Sequence, residues 1–192
     1  MDRNLAVAVA GCGTIEVSGI FERHVSPDVR TLTGSAAGGR WGAPGAYSVL
    51  YLGRPRNSIV AEAYRHLVDD TEGLTGDMVG PRRLLKVEVS LSSVLDLRAE
   101  LNQQSVGLTV ADLLSPTSQH ARCQRVGRVA HQLGLHGIIA PAATGLGETL
   151  AVFELHLTPE EQPLLIGEED WRRLPPDPRV LRAIEQDQAK RD

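Results

Sequence analysis

The sequence predicts a mixed α/β (α+β) fold, a single domain with a small central sheet flanked by helices. Three observations carry that expectation. Residues 84–91 (Leu-Leu-Lys-Val-Glu-Val-Ser-Leu) show the period of two that a half-buried strand requires. Val126, Val129, Ala130 and Leu133 recur at i, i+3, i+4 and i+7, the stripe of an amphipathic helix. Between these anchors, candidate strands and helices interleave irregularly, which argues against a regular doubly wound order.

Taken in order, residues 5–10 (Leu-Ala-Val-Ala-Val-Ala) read as a strand or a tucked-in N-terminus. Only one Arg and one Asp precede them and no convincing cleavage site follows, which disfavours a signal peptide. Residues 14–24 mix β-formers with polar side chains and suit a strand. Residues 31–48 are rich in Gly, Ala, Ser and Thr, a loop long enough to be functional. Residues 49–52 (Val-Leu-Tyr-Leu) form a buried strand. Asn57 is a suitable cap for a helix to about Asp69, with Ile59, Val60, Ala63 and Leu67 inward. Glu62 borders that stripe, so its carboxylate is expected to be part-buried.

Residues 71–82 return to loop composition. After the strand at 84–91, Val94 to Leu97 suggests a second short strand, and 98–114 a helix broken at Gly107. Pro116-Thr117-Ser118 opens the amphipathic helix and Gly134 ends it. Residues 137–141 read as a buried strand cut off by Pro141, and Thr149 to Leu157 as another. Asp177 and Pro178 begin a C-terminal helix over 177–190, an appendage burying Val180, Leu181 and Ile184.

Composition limits function. Aromatic residues are scarce, so the core is expected to rest on Val, Leu, Ile and Ala. No apolar run approaches a membrane span. Cys12 and Cys123 are too few for a disulfide framework and too far apart for a zinc motif, which fits a reducing, cytoplasmic setting. A formal charge of −4 disfavours direct nucleic-acid binding. Arg23, Arg30, Arg40, Arg54, Arg56 and Arg65 nevertheless crowd the first third, a local excess suited to an anionic small molecule or an acidic segment.

Several familiar motifs fail. Gly145-Leu146-Gly147 lacks a third glycine and leads into a strand, so it reads as a tight turn. Gly34 to Gly39 lacks the Lys-Ser/Thr ending of a P-loop. Glu62 and His66 share a helix face without a second pair at ligand spacing, so no metal is expected and His66 reads as a partner for Glu62. What stands out is Gly38-Gly39-Arg40-Trp41, then Tyr51, then Glu62. Each has an ordinary role: an ion pair for Arg40, a core ring for Tyr51, an arginine partner for Glu62. Together they offer a guanidinium fork for phosphate oxygens, an aromatic wall and a carboxylate.

At these residues the chain resembles the RES-domain family. The shared features are Gly38-Gly39-Arg40-Trp41, the strand ending Tyr51-Leu52, and Glu62 eleven residues after Tyr51. Cys123-Gln124-Arg125-Val126-Gly127, residues 137–143 and Gly13-Thr14-Ile15-Glu16 also look like the family, notably its mycobacterial NAD⁺-degrading toxins. The resemblance covers most of 13–155. Three positions depart. Gly42 replaces the usual Asn and is expected to loosen the loop. His24 stands where the first strand carries a tyrosine. Ala121 falls at the family serine, with Ser118 one helical turn earlier as the nearest substitute.

The resemblance implies an ADP-ribosyltransferase-like fold and cleavage of the nicotinamide–ribose bond of NAD⁺, a substrate here and not a cofactor. Phosphate or water would accept the ADP-ribose. It assigns the ribose side to Glu62, the pyrophosphate to Arg40, pocket lining to His24 and Tyr51, and a ribose or phosphate contact to Ser118. It also implies a toxin held by an antitoxin with a helix-turn-helix domain. A protein ADP-ribosyltransferase, or a weakened module that binds NAD⁺ or a partner, remains as the alternative.

Overall fold

The computed structural model describes residues 2–115 and 119–180. Among them six strands form one mixed sheet: β1 (Ile15–Val25), β2 (Leu50–Arg54), β3 (Arg82–Asp96), β4 (Gly137–Pro141), β5 (Glu148–Val152) and β6 (Leu164–Trp171). The strands run in the order β1-β2-β5-β4-β3-β6, and β1 also pairs with β3. The sheet therefore closes on itself, with β6 added along the N-terminal half of β3. Only β3 and β4 run parallel; the other pairs are antiparallel.

Five helices flank the sheet among the described residues: α1 (Arg3–Gly11), α2 (Arg56–Tyr64), α3 (Glu100–Ser105), α4 (Val110–Leu114) and α5 (Ala121–Gln132). One apolar cluster fills the space between α1, α5 and the sheet, including Ala6, Val9, Trp41, Val126, Ala130 and Phe153. A second gathers Phe21, Leu50, Val87, Ile139 and Leu150 of the strands. Aliphatic side chains dominate as expected, yet Trp41, Phe21 and Phe153 are the largest fully buried ones.

Several expectations are corrected. Residues 5–10, expected as a strand or a tucked-in N-terminus, are helical and pack into the core. Asp2 caps α1 by accepting from the Leu5 N–H at 3.3 Å, and the buried residues, Ala6 and Val9, are three apart. The α2 helix starts after Pro55, so Asn57 lies inside its first turn and does not cap it. It then widens into a π-helical turn, Arg65–Asp69. The two strands expected at 84–91 and 94–97 are one. Glu161 accepts from the Ser92 N–H at 2.8 Å and the Ser92 hydroxyl at 2.7 Å, which satisfies the polar residue between the two apolar stretches. The strand expected to reach Leu157 ends at Val152 and gives way to a 3₁₀ turn, Glu154–His156.

The β6 strand was not legible. Its acidic residues are held by tertiary partners: Glu168 by Arg83 at 3.2 Å and Glu169 by Arg56 at 2.8 Å. Asp177 does cap the chain as it turns helical, accepting from the Arg179 N–H at 2.9 Å. Val180, expected inward, is 57% exposed. The rest of the 177–190 helix lies outside the described residues.

Candidate active site

The β2–α2 unit builds the site. Tyr51 sits on β2, the chain turns at Pro55, and Glu62 follows on α2. These two, with Arg40, His24, Gly38 and Gly39, line one cavity of about 530 Å³, within the range typical of small-molecule sites. The sequence motif and the carboxylate thus share a cleft.

The Gly38–Trp41 loop is fixed from several sides. The Gly39 N–H donates to the Gly42 carbonyl at 2.8 Å. The Tyr51 hydroxyl accepts from the Trp41 N–H at 2.9 Å, and the Tyr47 hydroxyl donates to the Trp41 carbonyl at 2.6 Å. Gln124 of α5 donates to the Gly39 carbonyl at 3.0 Å. A Cβ at Gly39 would stand 2.7 Å from the Tyr51 oxygen, so the second glycine is required by that close approach. Gly42 does not loosen this loop. A side chain there would press within 2.9 Å of Val49 Cγ2, so the glycine matches the packing of Val49 below it.

Arg40 is only 9% exposed. Its Nη1 donates to the Asp112 carbonyl at 2.9 Å and its Nη2 to the Ser115 carbonyl at 3.0 Å. Both ends of the fork already hold the C-terminal end of α4. A free bidentate grip with these hydrogens is therefore not what the structure presents. Its remaining donors stay with a guanidinium locked in place. Burial, together with the charge of Arg65, lowers its pKa.

Glu62 is ionised. Burial works against its charge, but the hydrogen bond from His66 and the charges of His66, Arg65 and Arg40 outweigh that and hold its pKa below the usual value. His66 Nε2 lies 3.3 Å and Arg65 Nη1 3.6 Å from Glu62 Oε2. His66 is the partner the sequence indicated. Tyr51 is a neutral phenol, pushed up to about 12 by burial.

His24 Nδ1 lies 3.3 Å from Arg82 Nη2. Arginine only donates, so Nδ1 accepts and the ring proton belongs on Nε2. Burial, then the Arg82 charge, pushes the His24 pKa down to about 3. Ala121 is exposed at the start of α5, and Ser118 lies outside the described residues.

Among the further residues that reach the cavity without having been singled out for the site are Arg65, Ser58 and His120. Arg65 was one of the crowded arginines, and its place three residues after Glu62 was the available signal. It donates to the same Ser115 carbonyl as Arg40, at 3.0 Å. Ser58 is buried and its hydroxyl has no partner among the described residues. Of the other early arginines, Arg23 lines the cavity, Arg54 pairs with Glu148 at 2.6 Å, Arg56 with Glu22 at 3.2 Å, and Arg30 is exposed.

The histidines set a pH dependence. Burial, then the Arg40 charge, pushes His120 down to about 4. In the unfolded chain both His24 and His120 titrate near the ordinary value of about 6.5. Below that pH the unfolded chain binds more protons, so stability falls as pH drops from about 6.5 towards these folded values. Unfolding free energy is expected to fall from pH 7 to pH 5 by roughly 3–4 kcal/mol, about half of it from each histidine. Denaturant titrations of the wild type and a His24→Asn/His120→Asn variant check this; an equal slope in both would clear the two imidazoles.

A family model described as the RES domain matches residues 19–185. The chain belongs to the RES domain family. NAD(+) phosphorylase MbcT of Mycobacterium bovis is 28% identical over 162 residues, covering 83% of this RES chain and 86% of MbcT. MbcT of Mycobacterium tuberculosis gives the same figures. Among solved structures, a chain of the M. tuberculosis MbcT–MbcA toxin–antitoxin complex matches with a TM-score of 0.77 at 28% identity, covering 88% of this chain and 93% of that one.

Proposed function

We propose that this RES-domain protein is a toxin that degrades NAD⁺ by cleaving the nicotinamide–ribose bond. The observation that carries the reading is an ionised, part-buried Glu62 in one cleft with Arg40, in a chain similar to an NAD(+) phosphorylase over most of its length. Bond breaking builds positive charge on the ribose ring, as in glycoside cleavage. A carboxylate facing the sugar stabilises that charge, and low-dielectric walls strengthen the effect. The C1–N bond breaks, nicotinamide leaves with the bonding pair, and an oxygen of phosphate or water bonds to C1.

The remaining side chains bind and orient. The locked Arg40 supplies positive charge and its spare donors near the diphosphate. The Tyr51 ring and the neutral His24 line the nicotinamide and ribose part of the cleft. The contact to a ribose or phosphate oxygen is assigned to Ser118. NAD⁺ is consumed, so no resident cofactor is required. An antitoxin partner, with a helix-turn-helix domain and an acidic tail suited to the arginines around the cleft, keeps the activity in check in the cytoplasm.

Nicotinamide release by the purified chain, with and without inorganic phosphate, tests the reading. Release that rises with phosphate and yields ADP-ribose phosphate assigns phosphorolysis; release that ignores phosphate and yields ADP-ribose assigns hydrolysis. Labelled ADP-ribose retained on a protein identifies protein transfer instead. NAD⁺ binding with no release would leave a binding module.

A further inference from the structure

Of all the side chains facing the cleft, His120 is the one whose polar atoms are least accounted for. It immediately precedes α5 and is 6% exposed. Neither ring nitrogen has a well-formed hydrogen-bond partner among the described residues, and the Ser115 backbone is the one nearby group that favours the protonated ring. Leaving a buried polar group without a good partner is unfavourable, and this ring leaves two. Buried orphans of this kind in a cavity wall mark a place where a ligand completes the bonding.

The surroundings define the ligand. Arg40 Nη2 and Arg65 Nη2 both end on the Ser115 carbonyl, 3.0 Å away in each case, five residues before His120. The charges of both arginines act on the His120 ring, and all three side chains line the cavity. Each guanidinium has five N–H donors, so donors remain after these bonds. This corner is cationic and rich in donors, the chemistry that takes phosphoryl oxygens. A neutral imidazole adds one N–H donor and one acceptor to it.

We infer that His120 is a substrate-binding residue whose ring N–H donates to a phosphoryl oxygen held in the corner it shares with Arg40 and Arg65. That oxygen belongs either to inorganic phosphate or to the NAD⁺ diphosphate. The assignment rests on the proposed NAD⁺ cleavage for its substrate.

Steady-state nicotinamide release by the full chain, varying NAD⁺ and phosphate separately, tests it with His120→Ala and His120→Gln. The alanine variant is expected to raise one KM at least tenfold with kcat changed less than threefold. The glutamine variant, which keeps an N–H donor, should recover much of that loss. A raised phosphate KM places the acceptor in this corner; a raised NAD⁺ KM places the diphosphate there. Thermal unfolding of the alanine variant at pH 7 should change little, because no well-formed hydrogen bond to the described residues is lost. Both KM values within twofold of wild type would overturn the assignment while leaving NAD⁺ cleavage standing.

Should the wild type release no nicotinamide, calorimetry with inorganic phosphate and with ADP-ribose still decides the point. Binding by wild type that His120→Ala weakens tenfold upholds the corner. Equal binding by both proteins, or no binding of either probe, removes it.

Discussion

Glu62→Gln is expected to fold normally and lose roughly 10²–10³-fold in nicotinamide release. The amide keeps the shape of the carboxylate and removes only its charge. The contacts with the half-exposed His66 and with Arg65 outweigh the burial of that charge, so its removal has a small net cost, most of it offset by the relief of burial. Arg65 keeps its bond to the Ser115 carbonyl. Thermal stability should therefore change little, and the loss should appear in kcat, because charge on the ribose develops only as the bond breaks. His66→Gln is the control. It removes the exposed partner and should cost activity less than tenfold. A folded Glu62→Gln enzyme within threefold of wild type would take Glu62 out of the mechanism.

Gly127→Ala is expected to destabilise the chain by about 2–3 kcal/mol, lowering Tm by about 5–10 °C. Alanine in a helix interior normally stabilises by up to about 1 kcal/mol relative to glycine. Here the added Cβ would overlap the Trp41 carbonyl and crowd its main chain, and backbone cannot swing aside as a flexible side chain can. The α5 helix would be forced away from the loop that it holds through Gln124 and Gly39. Arg40 lies between those contacts, so the KM for NAD⁺ should rise with the loss of stability. Gly11→Ala is the comparison, since nothing lies within 4 Å of a Cβ there. An unchanged Tm for Gly127→Ala would mean that α5 does not clamp the loop.

These two glycine positions show why some signals survive in a linear chain and others do not. The pair Gly38-Gly39 advertises itself because both lie beside Arg40 in sequence. Gly127 performs an equally necessary task, yet its partner, Trp41, is far away in sequence. Strands β1, β2 and β4 were legible because a local apolar pattern matched the period of the element. The β6 strand was not, because its run of acids makes sense only beside Arg56 and Arg83. The apolar run at 5–10 admitted a strand because alanine and valine suit either element, and only the packing of Ala6 and Val9, three apart, marks it as a helix.

The site divides along the same line. Arg40, Tyr51 and Glu62 were named by spacing, and the fold brings them with His24 to one cavity. The expected freedom of the Arg40 fork was lost to two carbonyls of the α4 end, a contact no local pattern encodes. Arg65 and His120 joined the cleft through the π-helical turn after α2 and the approach to α5.

By itself the sequence determined the mixed α/β class, the loop that carries Arg40, and the strand–helix unit that carries Tyr51 and Glu62. These are local facts, set by periodicity, glycine content and residue spacing. Only the tertiary structure decided which of the early arginines face the cleft, what holds Arg40, and that His120 stands there with neither nitrogen well paired among the described residues. Those outcomes depend on contacts between residues distant in the chain, where burial and charge are set by neighbours that no short window contains.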